Sequence, residues 1–133
     1  MTNLNEIYKC EICGNIVNVF HAGAGQLVCC GQPMVLLVEK DSDLGNEKHV
    51  PIIEVNENES NQTNVLVKIG SVEHPMTQEH HIEWVELIAD DKILKKQFKF
   101  DEKPTANFVL DFKPTVISAR VYCNLHGLWK SKQ

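Results

Sequence analysis

The stretch Ile117-Ser-Ala-Arg-Val-Tyr-Cys123 decides the predicted fold, because its apolar residues recur at every second position. Such alternation is typical of a half-buried antiparallel strand, in which successive side chains point to opposite faces of a sheet. Residues 65–69 and 106–112 repeat the pattern upstream. The sequence therefore predicts an all-β domain in this part of the chain.

Six segments beyond the first third of the chain are predicted to be short strands. Turn-forming residues separate them, and no segment has a convincing helical period. Six or seven short strands within about 95 residues favour a β-sandwich of immunoglobulin-like type. The predicted strands are residues 50–55, 64–69, 82–89, 93–100, 106–112 and 116–123.

Four cysteines are clustered near the N-terminus, as Cys10-x-x-Cys13 and the vicinal pair Cys29-Cys30. Four thiolates can close a tetrahedron around iron or zinc and leave no open position, which implies a structural or electron-transfer role. The surrounding residues contain few apolar side chains, so a bound metal would supply much of their stability. In a reducing cytosol, paired cysteines are more often metal ligands than disulfides.

The polar stretch 39–46 follows this module and has the composition of a linker or loop. We therefore expect two domains, a small metal module over residues 1–38 and a β-sandwich over residues 39–133.

A second metal site is indicated by histidines in the C-terminal part. Cys123 and His126 lie three residues apart at the end of a predicted strand, where a thiolate and an imidazole can converge on one ion. If a strand begins near His80, then His80 shares a face with Ile82 and Trp84, whereas His81 points to the opposite face. We therefore favour His80 over His81 as a ligand, and the role of His81 stays open.

Glu47, Lys48 and His49 are consecutive and place a carboxylate, an ammonium group and an imidazole in a row. If His49 binds a metal, its two neighbours are forced close to the open face of that metal. One of them could then ligate the ion and the other could attract an anion.

The composition argues against several classes of partner. The 133-residue chain has a formal net charge of −5 and a single arginine, so it has no basic surface to neutralise a phosphate backbone. It also contains no apolar run near the roughly 18–20 residues that a membrane span requires, and its first residues lack a signal-peptide pattern. We expect no nucleic-acid or membrane partner and a cytoplasmic location.

Taken together, these motifs resemble desulfoferrodoxin, the two-iron class of superoxide reductase. The resemblance covers essentially the whole chain. It is carried by Tyr8-Lys-Cys10-x-x-Cys13-Gly, Cys29-Cys30-Gly-x-Pro-Met34, Glu47-Lys48-His49-Val-Pro51, His74-Pro-Met-x-x-Glu-His80-x-Ile-Glu-Trp84 and Cys123-Asn-Leu-His126-Gly-Leu-Trp129.

The resemblance implies two iron sites in each chain. A desulforedoxin-like N-terminal module would hold Fe(Cys)4, and an immunoglobulin-like sandwich would hold a square-pyramidal Fe(His)4Cys centre. It also implies a homodimer. The first ligand set would be Cys10, Cys13, Cys29 and Cys30, and the second would be His49, His74, His80 and His126 in the equatorial plane with Cys123 axial.

The activity implied is the one-electron reduction of superoxide to hydrogen peroxide, with electrons from rubredoxin or a similar donor. Lys48 would attract superoxide, and Glu47 would close the sixth position in the ferric state. The competing interpretations are a superoxide dismutase and an electron carrier or zinc-stabilised binding module. His81 stands where the resemblance leads us to expect an aromatic residue, and the spacer between His49 and His74 is longer than expected.

Overall fold

The computed structural model describes residues 1–41, 48–58 and 60–131. The chain divides into two compact units, Met1–Val38 and Glu39–Gln133. All regular secondary structure in the described residues is β-strand, which confirms the predicted all-β class. None of these residues forms a helix long and apolar enough to span a membrane.

The first unit is built from very short strands. Three of them form an antiparallel sheet in the order β2-β1-β5, and β3 and β4 form a separate hairpin. Its buried apolar side chains are few, namely Ile7, Cys10 and Val19. The strands are β1 Ile7–Lys9, β2 Ile16–Asn18, β3 Val28–Cys29, β4 Gln32–Pro33 and β5 Val35–Leu36.

The second unit is a sandwich of two antiparallel sheets. One sheet has the strand order β10-β7-β6 and the other has the order β12-β11-β8-β9. The strands are β6 Pro51–Glu57, β7 Thr63–Ile69, β8 Ile82–Ala89, β9 Lys92–Gln97, β10 Thr105–Leu110, β11 Ile117–Cys123 and β12 Gly127–Lys130.

The core of the sandwich consists of the alternating apolar residues that the sequence identifies. Val121 pairs with Val85 and Ala119 pairs with Leu87, and all four side chains are buried between the sheets. Their partners from the opposite sheet include Val65, Val67, Ala106 and Phe108. Period-2 alternation therefore places one apolar face of each central strand in a shared core.

A register shift at the end of β11 corrects the expectation for the strand that carries the histidines. Cys123 pairs with Ile82 and joins the core, whereas Tyr122 pairs with Trp84 and stacks on it with ring centroids 5.8 Å apart. Ile82 and Trp84 therefore lie on opposite faces, although simple alternation predicts that they share one. The strand also begins at Ile82, so His80 precedes it.

The sheet face turned away from the core carries a buried ion pair. Arg120 Nη2 lies 2.8 Å from Glu86 Oε2, and both side chains are only 5% exposed. The same guanidinium reaches Glu39, at 3.4 Å, at the start of the second unit. Burial of this pair is tolerated because the guanidinium makes two hydrogen bonds to the Glu86 carboxylate.

Strand β9 is the outermost strand of its sheet in the described part of the chain. Its three lysines lay their ammonium groups over aromatic rings, at 5.0 to 5.8 Å from the ring centroids. The pairs are Lys92 over Phe112, Lys95 over Trp84 and Lys96 over Phe98. Their stems thereby cover apolar surface while the charges remain in water.

Candidate metal centres

The four N-terminal cysteines converge in the first unit. Cys10 and Cys13 come from the turn after β1, and Cys29 and Cys30 come from the β3–β4 hairpin. The four sulfur atoms all lie within 4.8 Å of one another, and no disulfide joins these residues. Cys13 Sγ is 3.6 Å from Cys29 Sγ, and Cys29 Sγ is 3.9 Å from Cys30 Sγ.

These sulfur separations fit a tetrahedral metal site. Four sulfurs at about 2.3 Å from one ion stand about 3.8 Å apart, close to the distances observed. A disulfide would require a separation of about 2.05 Å. The donor set is saturated with sulfur, so a substrate would have no position on the ion.

A left-handed backbone lets the vicinal cysteines face the same ion. Cys30 has a φ of 53° and Gly31 a φ of 76°. A non-glycine residue rarely adopts this conformation, because its Cβ crowds the backbone. Here the turn directs Cys30 Sγ back toward the sulfur of its neighbour, and a bound ion would offset the strain.

The protonation of these thiols also favours a bound cation. The backbone N–H of Cys13 lies 3.5 Å from Cys10 Sγ, and this contact is the largest of the causes that lower the pKa of Cys10 to about 6. The pKa of Cys30 is raised to about 12, chiefly by its contacts with the thiols of Cys13 and Cys10. Without a cation, only some of these sulfurs can be thiolates at neutral pH, so metal binding would release protons.

The second unit brings four histidines and one cysteine together from distant parts of the chain. His49 precedes β6, His74 and His80 lie between β7 and β8, and Cys123 and His126 flank the β11–β12 turn. Donor atoms of His49, His74, His80 and Cys123 lie within 4.8 Å of one another. His126 Nδ1 completes the group, at 3.1 Å from His49 Nε2 and 3.8 Å from Cys123 Sγ.

The four imidazoles form a closed, nearly square ring. Neighbouring rings meet edge to face, with centroids 4.7 to 4.9 Å apart and interplanar angles of 69 to 79°. The diagonal from His49 to His80 is 6.3 Å, close to the value for a square of that edge. Two imidazole nitrogens at about 2.1 Å from one ion and at right angles are about 3.0 Å apart, which matches the contact of His49 with His126.

Two of these imidazoles carry buried nitrogen atoms that a metal would satisfy. His74 Nδ1 lies 2.7 Å from the carbonyl oxygen of Pro75, so this nitrogen donates the proton and Nε2 retains a lone pair. His74 Nε2 and His80 Nε2 are both buried without a hydrogen-bond partner. An orphaned buried acceptor is costly, and a metal ion would remove that cost.

Burial keeps these ligands in the state that a metal requires. Desolvation lowers the pKa of His74 to about 4 and also lowers the pKa of His80. Both imidazoles are therefore neutral at physiological pH. Neutral imidazole is the form that binds divalent metals.

The turn before β8, rather than the strand itself, positions His80. Thr77 Oγ1 accepts the backbone N–H of His80 at 3.1 Å, and Thr77 O contacts the ring of His81 at 2.9 Å. Asn124 accepts the backbone N–H of His81 and donates to the carbonyl of Glu79, at 2.9 and 3.0 Å. His80 thus enters the cluster while His81 turns away from it.

Trp129 packs against the histidine–cysteine cluster, and the sequence analysis predicted no role for it. Its ring stacks on His49, with centroids 4.7 Å apart and planes 15° apart. Its Nε1–H donates to the carbonyl oxygen of His126 at 3.1 Å. The Trp129 side chain therefore fixes the positions of two of the four histidines. In the sequence, the only sign of this role is that Trp129 ends the motif that begins at Cys123.

The two remaining candidate residues, Lys48 and Glu47, precede His49 in the sequence. Lys48 is half-buried, and its charge is among the influences that lower the pKa of His80, after burial, His126 and His49. Glu47 lies outside the described residues. His74 and Cys123 are almost fully buried, whereas His126 is exposed, so one side of the cluster reaches solvent.

Comparison with known proteins identifies the family of this two-site β protein. The family model for desulfoferrodoxin matches residues 41–132, and that for the desulfoferrodoxin N-terminal domain matches residues 2–37. A desulfoferrodoxin homolog of Archaeoglobus fulgidus is 53% identical over 131 residues, which cover 98% of this chain and 99% of the relative. The desulfoferrodoxin of Nitratidesulfovibrio vulgaris is 52% identical over 132 residues and covers 99% of both chains.

Among solved structures, the superoxide reductase from Treponema pallidum is similar to this chain with a TM-score of 0.77 and 30% identity. The match covers 96% of this chain and 97% of that one. The chain belongs to the desulfoferrodoxin family. Both the resemblance and the fold class expected from it are confirmed, and the two clusters are candidate iron sites.

Proposed function

We propose that this protein is a superoxide reductase, which converts superoxide, one electron and two protons into hydrogen peroxide. The observation that carries the proposal is the square of imidazoles with the sulfur of Cys123 beside it. One thiolate with several neutral nitrogen donors is a ligand set suited to redox-active iron. The superoxide reductase from Treponema pallidum, with its similar fold, supports the same activity.

The residues proposed to hold the catalytic iron are His49, His74, His80, His126 and Cys123. Iron bound there would supply the electron for the reduction. Burial is the largest influence on the pKa of Cys123 and raises it, while the backbone N–H groups of Leu125 and His126 lower it. The protein therefore buries this sulfur away from solvent, and two backbone N–H groups stabilise its thiolate form.

Lys48 is proposed to attract the superoxide anion. This role is supported by the charge of Lys48, which is among the influences that lower the pKa of His80, after burial, His126 and His49. A cation beside an opening to solvent raises the local concentration of a small anion and speeds its association. Glu47, which adjoins Lys48 in the sequence, is proposed to close the remaining ligand position in the oxidised state.

Residues 1–38 are proposed as an Fe(Cys)4 domain and residues 39–133 as the catalytic domain. Because the reaction consumes an electron without returning one, an outside donor is needed, and we propose rubredoxin or a similar one-electron carrier. We also propose a cytoplasmic location, since unpaired thiol ligands persist in reducing compartments. We further propose a homodimer, because the first unit exposes the apolar side chains of Phe20 and Val28 beside a concavity of about 460 Å³.

The stoichiometry of the reaction tests the proposed function. Pre-reduced protein supplied with an electron donor should yield one hydrogen peroxide per superoxide and no dioxygen. A dismutase would yield half a peroxide per superoxide, together with dioxygen, and would need no donor. A colourless protein that contains zinc and is redox-silent would instead indicate a binding module, so the visible spectrum should be recorded first.

A further inference from the structure

Lys40 lies beside strand β12, next to residues that support the histidine–cysteine cluster. Its backbone N–H donates to the carbonyl of Leu128 at 3.0 Å, and its own carbonyl accepts the N–H of Lys130 at 2.8 Å. These bonds form a parallel bridge opposite Trp129. The residue is thus fixed beside β12, although the sequence places it in a polar linker.

The ammonium group of Lys40 contacts the supports of two histidines. Lys40 Nζ donates to the carbonyl oxygen of His126 at 3.0 Å and lies 5.1 Å from the ring centroid of Trp129. Trp129 in turn stacks on His49 and donates to the same His126 carbonyl. The cation therefore holds both the backbone of one proposed ligand and the aromatic platform of another.

The same ammonium group also lies near the sulfur ligand. Gly127 pairs with Cys123 across the β11–β12 turn, and a Cβ on Gly127 would be 3.8 Å from Lys40 Nζ. A cation held beside the residue paired with Cys123 favours negative charge at the sulfur, although the Lys40 side chain is exposed and salt screens the effect.

We infer that Lys40 is a positioning residue that raises the reduction potential of the iron held by the histidine–cysteine cluster. Reduction adds one negative charge to the site, and a cation held nearby stabilises the reduced state more than the oxidised state. Charges and hydrogen bonds around the ligands of a metal are known determinants of its potential. The inference rests on the proposed function, because it requires redox-active iron in this cluster.

The test is the midpoint potential of the histidine–cysteine centre in the full-length, iron-loaded protein, measured by spectroelectrochemistry. Lys40→Met keeps much of the packing on Trp129 but removes the charge, so the potential should fall. Lys40→Gln keeps a hydrogen-bond donor for the His126 carbonyl and should also lower it. Lys130→Met is the matched control, because it removes an equal charge from the neighbouring strand, where Lys130 pairs with Arg120, and should leave the potential near that of the wild type.

The difference between the wild type and Lys40→Met should also shrink as ionic strength rises, since an exposed cation is screened. An unchanged potential in both Lys40 variants would overturn the inference, as would an equal fall in Lys130→Met. If Lys40→Met fails to hold iron, the comparison of Lys40→Gln with the wild type decides the question. Absence of a ferric–thiolate signal in the wild type would instead contradict the proposed function itself.

Discussion

The side-chain oxygen of Asn124 accepts the backbone N–H of His81 at 2.9 Å, which joins two segments that carry proposed metal ligands. The Asn124 amide also donates to the carbonyl of Glu79, and the Asn124 backbone N–H donates to the carbonyl of His81. All three bonds flank His80. Asn124 itself lies between Cys123 and His126 in the sequence. It therefore sets the distance between the segment that carries these two proposed ligands and the segment that carries His80.

Replacing Asn124 with alanine should weaken iron binding at the histidine–cysteine cluster by about 10- to 100-fold, the usual effect of losing a partner that orients a metal ligand. Removal by a competing chelator, followed through the ferric–thiolate band, measures the change. Asn58→Ala is the matched control, because Asn58 caps the β6–β7 hairpin by accepting the N–H groups of Ser60 and Gln62. Equal iron loss in both variants would show that only general stability is affected.

His80→Ala should lose the iron of the cluster, whereas His81→Ala should retain it. The His80 ring is one side of the imidazole square, and its buried Nε2 has no other partner. The His81 ring instead contacts the Thr77 carbonyl. Iron content and the ferric–thiolate absorption of the two purified variants provide the comparison, and the reverse pattern would transfer the ligand role to His81.

Cys13→Ser should abolish the absorption of the four-cysteine site while leaving the reduction of superoxide by a pre-reduced histidine–cysteine centre largely intact. Cys13 Sγ lies 3.6 Å from Cys29 Sγ, so its loss removes one corner of the sulfur tetrahedron. None of the proposed ligands of the other centre lies in residues 1–38. Stopped-flow mixing with excess superoxide measures the second-order step, and its disappearance would show that turnover needs both centres.

Lys48→Ile should slow the association with superoxide by about 10-fold or more, because the local positive charge is lost while the ligands remain. The dependence of this rate on ionic strength should weaken as well. Lys68→Ile serves as the control of equal net charge, since Lys68 lies on β7 in an exposed pair with Glu54. Pulse radiolysis across a salt series would reveal the effect, and identical rates in the two variants would leave Lys48 without a steering role.

Local sequence patterns were sufficient for the central strands but not for their ends. Alternation predicts a strand over residues 82–89, and β8 spans Ile82–Ala89. The sequence pattern predicts that the next strand runs to residue 100, whereas β9 ends at Gln97. Strand β12 was not predicted, because it has only four residues and begins with Gly127, whose φ is 85°.

Part of the histidine–cysteine site could be predicted from local residue spacing, and part depends on contacts between residues that are distant in the sequence. The spacing of Cys123 and His126 was enough to predict that they converge, and their donor atoms lie 3.8 Å apart. The preference for His80 came from strand alternation, yet a turn closed by Thr77 is what directs this side chain. Lys40 carries no local signal at all, because its contacts are with residues more than 80 positions away in the sequence.

The three lysines of β9 affect how this protein associates with other copies of itself. An outermost strand offers free backbone N–H and C=O groups, with which a strand from another molecule could pair. Two β9 strands that paired with each other would bring six ammonium groups close together, and their mutual repulsion is unfavourable. The lysines therefore protect an all-β chain against aggregation through this edge, including during folding, before the metal sites are filled.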